Sequence, residues 1–333
     1  NKHIKLTKKL SLPRKIVEQL NNISNYESKK NIRLMRYDFH PSIDNSWVVT
    51  EVNSDCPGGF AESSLLPNLA RKTINMPELK YKSFGEQMVS AINNKLEKKG
   101  TIMMLHCTCF SDDRQVMQYL GDRLKREGYK VIYGAADHIN FRQNRAFCIL
   151  ENNQEEINLI LRFTPLEWLI QMKPRRWDGY FKNIIISCNH PISIYAQSKK
   201  FPFVWNDLEK AGISMQTWKK LLPETINVKD LGERKNFIYK PIYGRVGERI
   251  SIKEACRDGE YEKILKDVKA HPDNYLAQKM FKSKPIKSDD GKEYHICLGS
   301  YTIEGKYAGY YARMSLYPRI DSYAEDIPVL IEN

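Results

Sequence analysis

Long hydrophobic runs are missing from this sequence of 333 residues. A membrane-spanning helix needs about 20 consecutive apolar residues, whereas the best run, KNIIIS at 182–187, suffices only for a short strand. The N-terminus has no apolar core of a signal peptide, and we read no targeting from it because the first residue is Asn1 and not Met. We therefore expect no membrane partner and a cytoplasmic protein.

Cysteines are few, odd in number and scattered, at positions 56, 107, 109, 148, 188, 256 and 297. This distribution does not match the disulfide framework of a secreted protein, so we expect reduced thiols. The stretch HCTCF contains His106, Cys107 and Cys109 but has no second Cys/His pair at the spacing of a zinc site. We interpret its cysteines as buried thiols at a strand end, not as metal ligands.

Excess negative charge is also missing, because the formal net charge is +13. Lysines and arginines spread along the whole chain instead of forming a stripe, and no nucleic-acid-binding motif accompanies them. Attraction for phosphate-bearing or acidic small molecules explains this charge better than a polyanion-binding role. We expect no nucleic-acid partner, and the sequence carries no information on oligomeric state.

Polar side chains share one face of two strands that are predicted from NIRLMRYDFH and SWVVTEVN. Because side chains alternate across a strand, Arg36 and Asp38 project together, and so do Glu51 and Asn53. If the strands pair as a hairpin, the two carboxylates and the amide converge beside Arg36. Such oxygens suit Mg²⁺; a polar outer face of the hairpin is the alternative.

The middle of the chain has the pattern of a βαβ unit. An apolar run at 101–106 is followed by a polar loop, a helix at 112–128 and a second apolar run at 130–134. Ser111 is the predicted N-cap of this helix. We therefore expect a parallel sheet in a Rossmann-like subdomain.

Beyond about residue 190 the pattern becomes mixed and antiparallel. We predict a helix at 194–214, two strands around a glycine loop at 236–252, a strand at 275–281 and a hairpin at 294–315 that turns at Glu304-Gly305. The predicted fold class is therefore α/β (α+β), with a Rossmann-like section before an antiparallel one.

The glycine loop in FIYKPIYGRVGE has features of a phosphate site. Lys240 leaves a strand, and Gly244, Arg245 and Gly247 follow it. Glycines let backbone N–H groups approach an anion, and the cations neutralise it. The order G-x-x-x-x-G-K-[ST] is absent, so this is not a P-loop. Taken alone, the motif is equally compatible with an exposed lysine before a glycine turn.

Together, RYDF, TEVNSDCPGG, FIYKPIYGRVGE, YLAQKMF and GSYTIEGKYAGYYARMS resemble the synthetase part of the glutathionylspermidine synthetase family, an ATP-grasp group. That family has R-x-D, E-x-N-x-D-x-P, K-P-x-x-G-R-x-G, a hinge strand with Gln and a last hairpin ending in Arg. The resemblance covers about residues 30 to 330 and keeps the motif order, including the circular permutation that places metal-binding strands before the ATP lysines.

The resemblance implies an ATP-grasp fold with a Rossmann-like pre-ATP-grasp subdomain and antiparallel-sheet nucleotide-binding subdomains. We assign 1–100 to an N-terminal segment that carries the metal-binding hairpin and is part of the ATP-grasp core. Residues 101–190 are assigned to the pre-ATP-grasp subdomain and 191–333 to the nucleotide-binding subdomains.

The resemblance also implies roles for the matched residues. Asp38, Glu51 and Asn53 match ligands of Mg²⁺, with two ions expected, while Arg36 and Arg313 match arginines beside the transferred phosphoryl group. The residues matched to ATP binding are Lys199, Lys240, Gly244, Arg245, Gly247, Gln278, Lys279, Met280 and Phe281. The first ATP lysine is Lys199 or its neighbour Lys200, and we favour Lys199.

The implied activity is that of an ATP- and Mg²⁺-dependent ligase that joins a small-molecule or peptide carboxylate to an amine through an acyl phosphate. A catalytically inactive ATP-grasp relative that binds nucleotide or peptide is the alternative. The family often has hydroxyl-bearing residues after E-x-N-x-D, whereas this chain has Cys56-Pro57-Gly58-Gly59. We expect Asp55, Cys56 and Gly58 to face the substrate, and the resemblance does not fix glutathione as that substrate.

Overall fold

In the computed structural model, the described residues are 2–23, 26–150, 154–173, 177–182 and 184–332. The α-helices are α1 (Lys2–Lys9), α2 (Arg14–Asn21), α3 (Glu62–Thr73), α4 (Phe84–Lys95), α5 (Ser111–Arg126), α6 (Leu166–Leu169), α7 (Ile194–Gln197), α8 (Trp205–Lys210), α9 (Gln216–Leu221) and α10 (Glu260–Ala270). The strands are β1 (Leu34–Pro41), β2 (Trp47–Asn53), β3 (Thr101–Leu105), β4 (Lys130–Gly134), β5 (Ile139–Arg142), β6 (Arg145–Cys148), β7 (Glu155–Ile157), β8 (Leu159–Arg162), β9 (Ile186–Cys188), β10 (Thr225–Asn227), β11 (Phe237–Pro241), β12 (Tyr275–Lys279), β13 (Ile286–Lys287), β14 (Glu293–Ile303), β15 (Lys306–Ser315) and β16 (Glu325–Ile327). No helix in these ranges is both long and apolar enough to cross a bilayer.

Within the described residues the strands form four sheets. The largest is antiparallel with the order β16-β15-β14-β1-β2, and β13 pairs with β14 outside this path. A parallel sheet has the order β4-β3-β8-β9. Two antiparallel sheets have the orders β10-β12-β11 and β5-β6-β7. This mixture of helices with parallel and antiparallel sheets confirms the predicted α/β (α+β) class.

The βαβ prediction is confirmed, since β3 and β4 run parallel and α5 connects them. Every residue of β3 is buried, as expected for a parallel strand covered on both faces. The predicted N-cap is wrong by one position, because α5 begins at Ser111 and Phe110 is its N-cap. The Ser111 hydroxyl donates to the Asp112 carboxylate instead of accepting from an amide of the first turn.

The side chains of β3 alternate between two hydrophobic clusters, one on each face of the parallel sheet. Met103 and Leu105 belong to one cluster, while Ile102 and Met104 belong to the other. The second cluster also contains Tyr301, which comes from β14 of the large sheet. The parallel sheet and the large sheet therefore pack together through this second cluster. The large sheet carries the site described next.

The two predicted hairpins form. β1 pairs antiparallel with β2, and on its other edge β1 pairs with β14. β14 and β15 turn at Glu304 and Gly305, whose φ angles of 52° and 77° are those of a tight two-residue hairpin turn. The 1–100 segment thus shares a sheet with the end of the chain, and the three domain boundaries stay a prediction.

The helix predicted at 194–214 is wrong as a single element. α7 ends at Gln197, the backbone is extended at Ser198, and a short 3₁₀ helix (Phe201–Val204) precedes α8. Pro202 lacks a backbone N–H and restricts the residue before it, which prevents one continuous helix.

The strand pair predicted at 236–252 is also wrong, because only its first half is a strand. β11 pairs with β12 instead of with the residues that follow it. Val246 and Gly247 both have positive φ angles, so the chain turns away after the glycine loop. The chain returns to β11 through a hydrogen bond from the Ser251 N–H to the Tyr239 carbonyl, 3.1 Å long.

Candidate active site

A cavity of about 560 Å³ is lined by the large sheet, the turn at 56–59 and the glycine loop after β11. This volume lies in the usual range for small-molecule sites. The predicted site residues on its walls are Arg36, Asp38, Glu51, Asn53, Cys56, Gly58, Lys240, Arg245, Gly247, Phe281 and Arg313. A smaller adjoining pocket is lined by Lys199 and Gln278 and shares Glu51 and Lys240 with the main cavity. The predicted residues outside both walls are Asp55, Gly244, Lys279 and Met280.

The β1–β2 hairpin brings the proposed metal ligands together. Asp38 lies opposite Glu51 in the strand register, and Arg36 lies opposite Asn53. The Asn53 Nδ2 atom is 3.0 Å from Asp38 Oδ2 and 3.5 Å from Glu51 Oε1. The amide therefore stands between the two carboxylates, and the predicted convergence of these three side chains is present.

A β-bulge shapes this hairpin. The register shifts between Asp38 and Phe39, which leaves Thr50 as an extra residue in β2. Its hydroxyl donates to the Asp38 backbone carbonyl at 3.4 Å, and its own carbonyl faces Lys240 Nζ at 3.5 Å. Bulges re-aim side chains beside active sites, and this one keeps Glu51 on the cavity face.

Two lysines neutralise Glu51. Lys199 Nζ lies 2.9 Å from Glu51 Oε2 and donates to the Gly244 carbonyl at 2.6 Å. Burial alone would raise the pKa of Glu51, but the charges of Lys199 and Lys240 outweigh burial and lower that pKa to about 2. Glu51 is therefore ionised at neutral pH, as a cation ligand must be.

Lys240 is buried, with 4% of its surface exposed. Burial lowers the pKa of Lys240 to about 8, although Glu51 acts in the opposite direction. A buried ammonium is stabilised by an anion beside it. The position of Lys240 in the cavity wall therefore suits contact with a phosphate.

Lys200 points elsewhere, which bears on the choice between the two neighbouring lysines. Its Nζ donates to Ser11 Oγ at 2.9 Å and to the Asp273 carbonyl at 3.2 Å. Lys199 instead reaches Glu51. Of the two lysines, Lys199 is therefore the one that contacts the carboxylate patch.

Arg36 connects the carboxylate patch with the turn at 56–59. Its Nε and Nη2 atoms bond to Asp38 Oδ1 and Oδ2 at 2.7 and 2.9 Å. Its Nη1 donates to the Gly58 carbonyl at 3.0 Å, and the Tyr301 hydroxyl donates to the same carbonyl. This bidentate pair fixes the direction in which Arg36 faces the cavity.

The turn at 56–59 has little freedom to vary. Gly59 has a φ of +88°, and a Cβ there would approach the Tyr311 ring to 2.7 Å. Burial and the nearby Asp55 raise the pKa of Cys56 to about 12, so its thiol stays protonated at neutral pH. Cys56 therefore lines the cavity as a neutral group and is not an activated nucleophile.

Asp55 lies behind the cavity wall, so the expectation that its side chain faces the substrate is not met. It is fully buried and pairs with Arg162, and its Oδ2 accepts from the Leu166 N–H at 2.8 Å. Gln197 Oε1 accepts from the Ser54 and Asp55 N–H groups at 2.8 and 2.9 Å. Arg162 and the Leu166 N–H group hold the carboxylate, and the two bonds to Gln197 anchor the backbone at the start of the turn.

Arg245 of the glycine loop reaches across the cavity to the α6 segment. Its Nη2 and Nε atoms lie 2.7 and 3.2 Å from Glu167 Oε1, and its Nη1 donates to Cys56 Sγ at 3.4 Å. The Trp168 ring lies beneath the guanidinium at 5.9 Å. Sequence reasoning missed Glu167 because PLEWLIQM reads as an ordinary short helix, and its one signal is an acid inside that apolar segment.

Gly247 allows the glycine loop to rest on the chain that follows β15. It has a φ of +66°, and a Cβ there would lie 2.3 Å from the Ile320 carbonyl oxygen. A side chain at this position would clash with backbone and would also be strained. Glycine is therefore required for this contact.

The hinge residues are the last two of β12, the central strand of the β10-β12-β11 sheet, and the two that follow it. The backbone N–H groups of Lys279 and Met280 bond to neighbouring carbonyls at 2.8 and 2.7 Å. Gln278 Nε2 donates to Thr225 Oγ1 at 3.1 Å, and the Phe281 side chain lines the cavity. The contact of this backbone with adenine stays a prediction.

Arg313 lies on β15, opposite Cys297 of β14. Its Nη2 donates to the Ala324 carbonyl at 2.8 Å, and its Nε lies 3.4 Å from Asp326 Oδ1. Ala324 and Asp326 therefore fix the guanidinium, and Arg313 also lines the cavity.

Within the described ranges, no three His, Cys, Asp or Glu side chains form a group that could hold a metal ion. The patch around Asn53 instead offers two carboxylates and one amide. Mg²⁺ keeps several waters and takes few protein ligands together with substrate phosphates, and an amide oxygen can replace Nδ2 by a flip of the group. The donor set of Asp38, Glu51 and Asn53 therefore fits Mg²⁺.

Comparisons with known proteins bear on the family and the fold of this chain. The model of the family described as glutathionylspermidine synthase pre-ATP-grasp matches residues 2–332. A crystal structure from Methylobacillus flagellatus KT, provisionally named a gamma-glutamylcysteine synthetase, has a TM-score of 0.52 and 11% identity over 97% of this chain and 87% of that chain. This second likeness shows a shared fold only. Curated protein sequences gave no match. The chain belongs to the glutathionylspermidine synthase pre-ATP-grasp family.

Proposed function

We propose that this protein is an ATP- and Mg²⁺-dependent ligase that forms an amide from a carboxylate and an amine. The supporting observation is that Asp38, Glu51 and Asn53 meet Lys240 and two arginines around one cavity lined by a glycine loop, and that Lys199 reaches Glu51 from the adjoining pocket. Polar groups of this kind serve phosphoryl transfer, in which catalysis consists mainly of positioning and charge neutralisation. The family and the fold agree with such an activity.

The nucleotide and the metal have suitable positions on this chain. Lys199 and Lys240 flank Glu51 and would hold phosphate oxygens. Asp38, Glu51 and Asn53 would hold Mg²⁺, which supplies charge neutralisation on the phosphates when it is bound. Because Lys199 pairs with Glu51 here, this lysine would have to leave the carboxylate before Glu51 could hold Mg²⁺.

The arginines serve the acyl half of the reaction. The γ-phosphoryl group passes to the substrate carboxylate, which gives an acyl phosphate and ADP; the amine then attacks the acyl carbon, loses a proton and expels phosphate. Arg36 lies between the metal patch and the turn at 56–59, where the acid would sit. Arg36 and Arg313 stabilise the negative charge that develops during these steps.

The test is ADP release from ATP and Mg²⁺ across a panel of amino acids, small peptides and polyamines, with mass spectrometry of the products. We expect ADP and a new amide to form in equal amounts with at least one acid–amine pair. Binding of ATP without ADP release across the whole panel would instead favour the inactive nucleotide-binding alternative. Absence of ATP binding would overturn the proposal.

A further inference from the structure

One wall of the cavity is apolar and adjoins the turn at 56–59. It consists of Phe163, Pro165 and Trp168, which follow β8 and line the cavity. The Phe163 ring contacts the turn, because a Cβ placed on Gly58 would lie 3.5 Å from its Cζ atom. Large apolar side chains in the wall of a binding cavity contact the apolar part of a ligand. The proposed reaction leaves these three residues without a role.

Trp168 is the most accessible member of this wall. It is 44% exposed, whereas its neighbours in α6, Leu166 and Leu169, are fully buried. The Trp168 ring centroid lies 6.0 Å from that of Phe110 and 5.9 Å from the Arg245 guanidinium carbon. The two buried leucines anchor α6, and the indole therefore stays outside the hydrophobic core, where it lines the cavity.

The charges beside this wall indicate what kind of group it accepts. The Arg245 guanidinium is already paired with Glu167 at 2.7 Å. Two carboxylates in the first turn of α5, Asp112 and Asp113, also line the cavity and follow Phe110 closely in the chain. Like charges repel each other strongly where little water screens them. This end of the cavity therefore disfavours a second carboxylate of the substrate and suits an apolar group.

The topology gives a separate reason to place a ligand here. β3 and β8 are neighbours in the parallel sheet, and the chain continues from β3 to β4 on one side and from β8 to β9 on the other. Open α/β sheets bind ligands in the crevice at the carboxyl ends of the strands where the strand order reverses in this way. α5 follows β3 and the apolar wall follows β8, so both borders of that crevice line the cavity.

We propose that Phe163, Pro165 and Trp168 select the carboxylate substrate, which is a monocarboxylate with an apolar remainder. An amino acid, or a short peptide that ends in one, with a large apolar side chain has this chemistry. Its carboxyl group lies by Arg36 and the turn at 56–59, and its side chain packs against the wall, with Trp168 as the main contact. This inference rests on the proposed function, because it names the substrate class of that same site.

The experiment traps the acyl phosphate with hydroxylamine, so that the natural amine need not be known. The hydroxylamine nitrogen bonds to the acyl carbon and loses a proton while phosphate leaves, which gives a hydroxamate. The full chain is assayed with ATP and Mg²⁺ on glycine, alanine, leucine, phenylalanine and glutamate, each free and as the C-terminal residue of a glycyl dipeptide. We expect kcat/KM to rise about tenfold or more from glycine to leucine or phenylalanine, and to be lowest for glutamate.

Substitution of Trp168 tests whether the wall causes this preference. In Trp168→Ala we expect KM for leucine and phenylalanine to rise about tenfold with kcat nearly unchanged, because binding of the remote side chain is lost, while glycine is affected less than about twofold. Trp168→Phe keeps an aromatic ring and should keep most of the preference. Trp47→Ala is the matched control, because Trp47 is 47% exposed but lies at the start of β2, outside the cavity walls.

Three results would overturn the inference: equal kcat/KM for glycine and phenylalanine in the wild type, a preference for glutamate, or an equal loss for all acids in Trp168→Ala. Calorimetric titration with a non-hydrolysable ATP analogue should give the same affinity for Trp168→Ala as for the wild type, which shows that the variant is folded. A wild type that forms no hydroxamate with any of these acids would contradict the proposed function itself, and the two failures are thus distinct.

Discussion

Glu51 and Asp55 are four residues apart in one motif, yet Asp55 is enclosed by the protein and Glu51 lines a cavity. Asp55 is fully buried, and its charge is met by Arg162, by the Leu166 N–H group and by Arg245 at 3.9 Å. Glu51 faces a cavity and is neutralised by Lys199, at 2.9 Å, and by Lys240. Arg162 is a planar guanidinium whose other terminal nitrogen bonds to the Thr164 carbonyl, whereas the ammonium of Lys199 is a point charge on a flexible stem. The comparison distinguishes a buried carboxylate that stabilises the turn from one that faces the cavity.

The largest effect on activity is expected at Glu51, the carboxylate that faces the cavity. Glu51→Gln removes the charge that a metal ion needs, and we expect ADP release to fall more than a thousandfold, about 4 kcal/mol. Circular dichroism should show a folded variant at the assay temperature, although the free energy of unfolding falls because Lys199 and Lys240 lose their anion. Glu209→Gln is the control, because Glu209 also pairs with a lysine but lies outside the cavity. Near-normal turnover of Glu51→Gln would remove the metal assignment.

Substitution of Asp55 should lower the stability of the fold. Asp55→Ala leaves Arg162 buried without its partner, and we expect the free energy of unfolding to fall by about 3 kcal/mol. Urea unfolding followed by circular dichroism measures this loss. Glu156→Ala breaks the exposed pair with Arg145 and should change stability by less than about 1 kcal/mol. Similar losses in both variants would contradict the structural role of Asp55.

A smaller effect is expected when Lys240 in the cavity wall is compared with Lys200 outside the cavity. Lys240→Met removes a charge from the cavity wall, and we expect ATP affinity to fall about ten- to thirtyfold, the size of one charged hydrogen bond. Lys200→Met should leave ATP affinity unchanged, because Lys200 bonds to Ser11 away from the cavity. Calorimetric titration with ATP distinguishes the two; an equal loss in both variants would undo the assignment of the ATP lysines.

Glu167 joins the two regions through Arg245, and the smallest effect is expected here. Glu167→Gln keeps a hydrogen-bond acceptor but loses the charge that holds Arg245. We expect KM for ATP to rise about fivefold with little change in kcat, since the loop is loosened and not removed. Steady-state ADP release over a range of ATP concentrations measures this. A large fall in kcat at unchanged KM would show a role in the reaction itself.

The periodicity of β1 and β2 was sufficient to predict the polar face, because alternation fixes the side of a strand on which Asp38 and Glu51 lie. The same rule extends one step further to His40, which also lines the cavity. Asp55 was misplaced because alternation holds only within a strand, and β2 ends at Asn53. Its partner Arg162 lies 107 residues away, a pairing that no local pattern reports.

The predictions after residue 190 failed where tertiary contacts override local pattern. Residues 236–252 resemble a hairpin, but β11 pairs with β12 and not with the residues that follow it. The helix at 194–214 is interrupted, and that interruption directs Lys199 to Glu51 and Lys200 to Ser11. The choice between these lysines depends on the path of the backbone, so the sequence alone left it open.

The pairing of β1 with β14 has a consequence for how the protein folds. Leu34 lies opposite Ile303, so the strand that carries Arg36 and Asp38 finds its second neighbour only after nearly the whole chain has been synthesised. Contacts of such high sequence separation form slowly, because a long loop must close before they contribute. The parallel sheet, built from closer segments, is able to form first. We therefore expect nucleotide binding to be among the last properties regained on refolding, after most of the helical signal has returned.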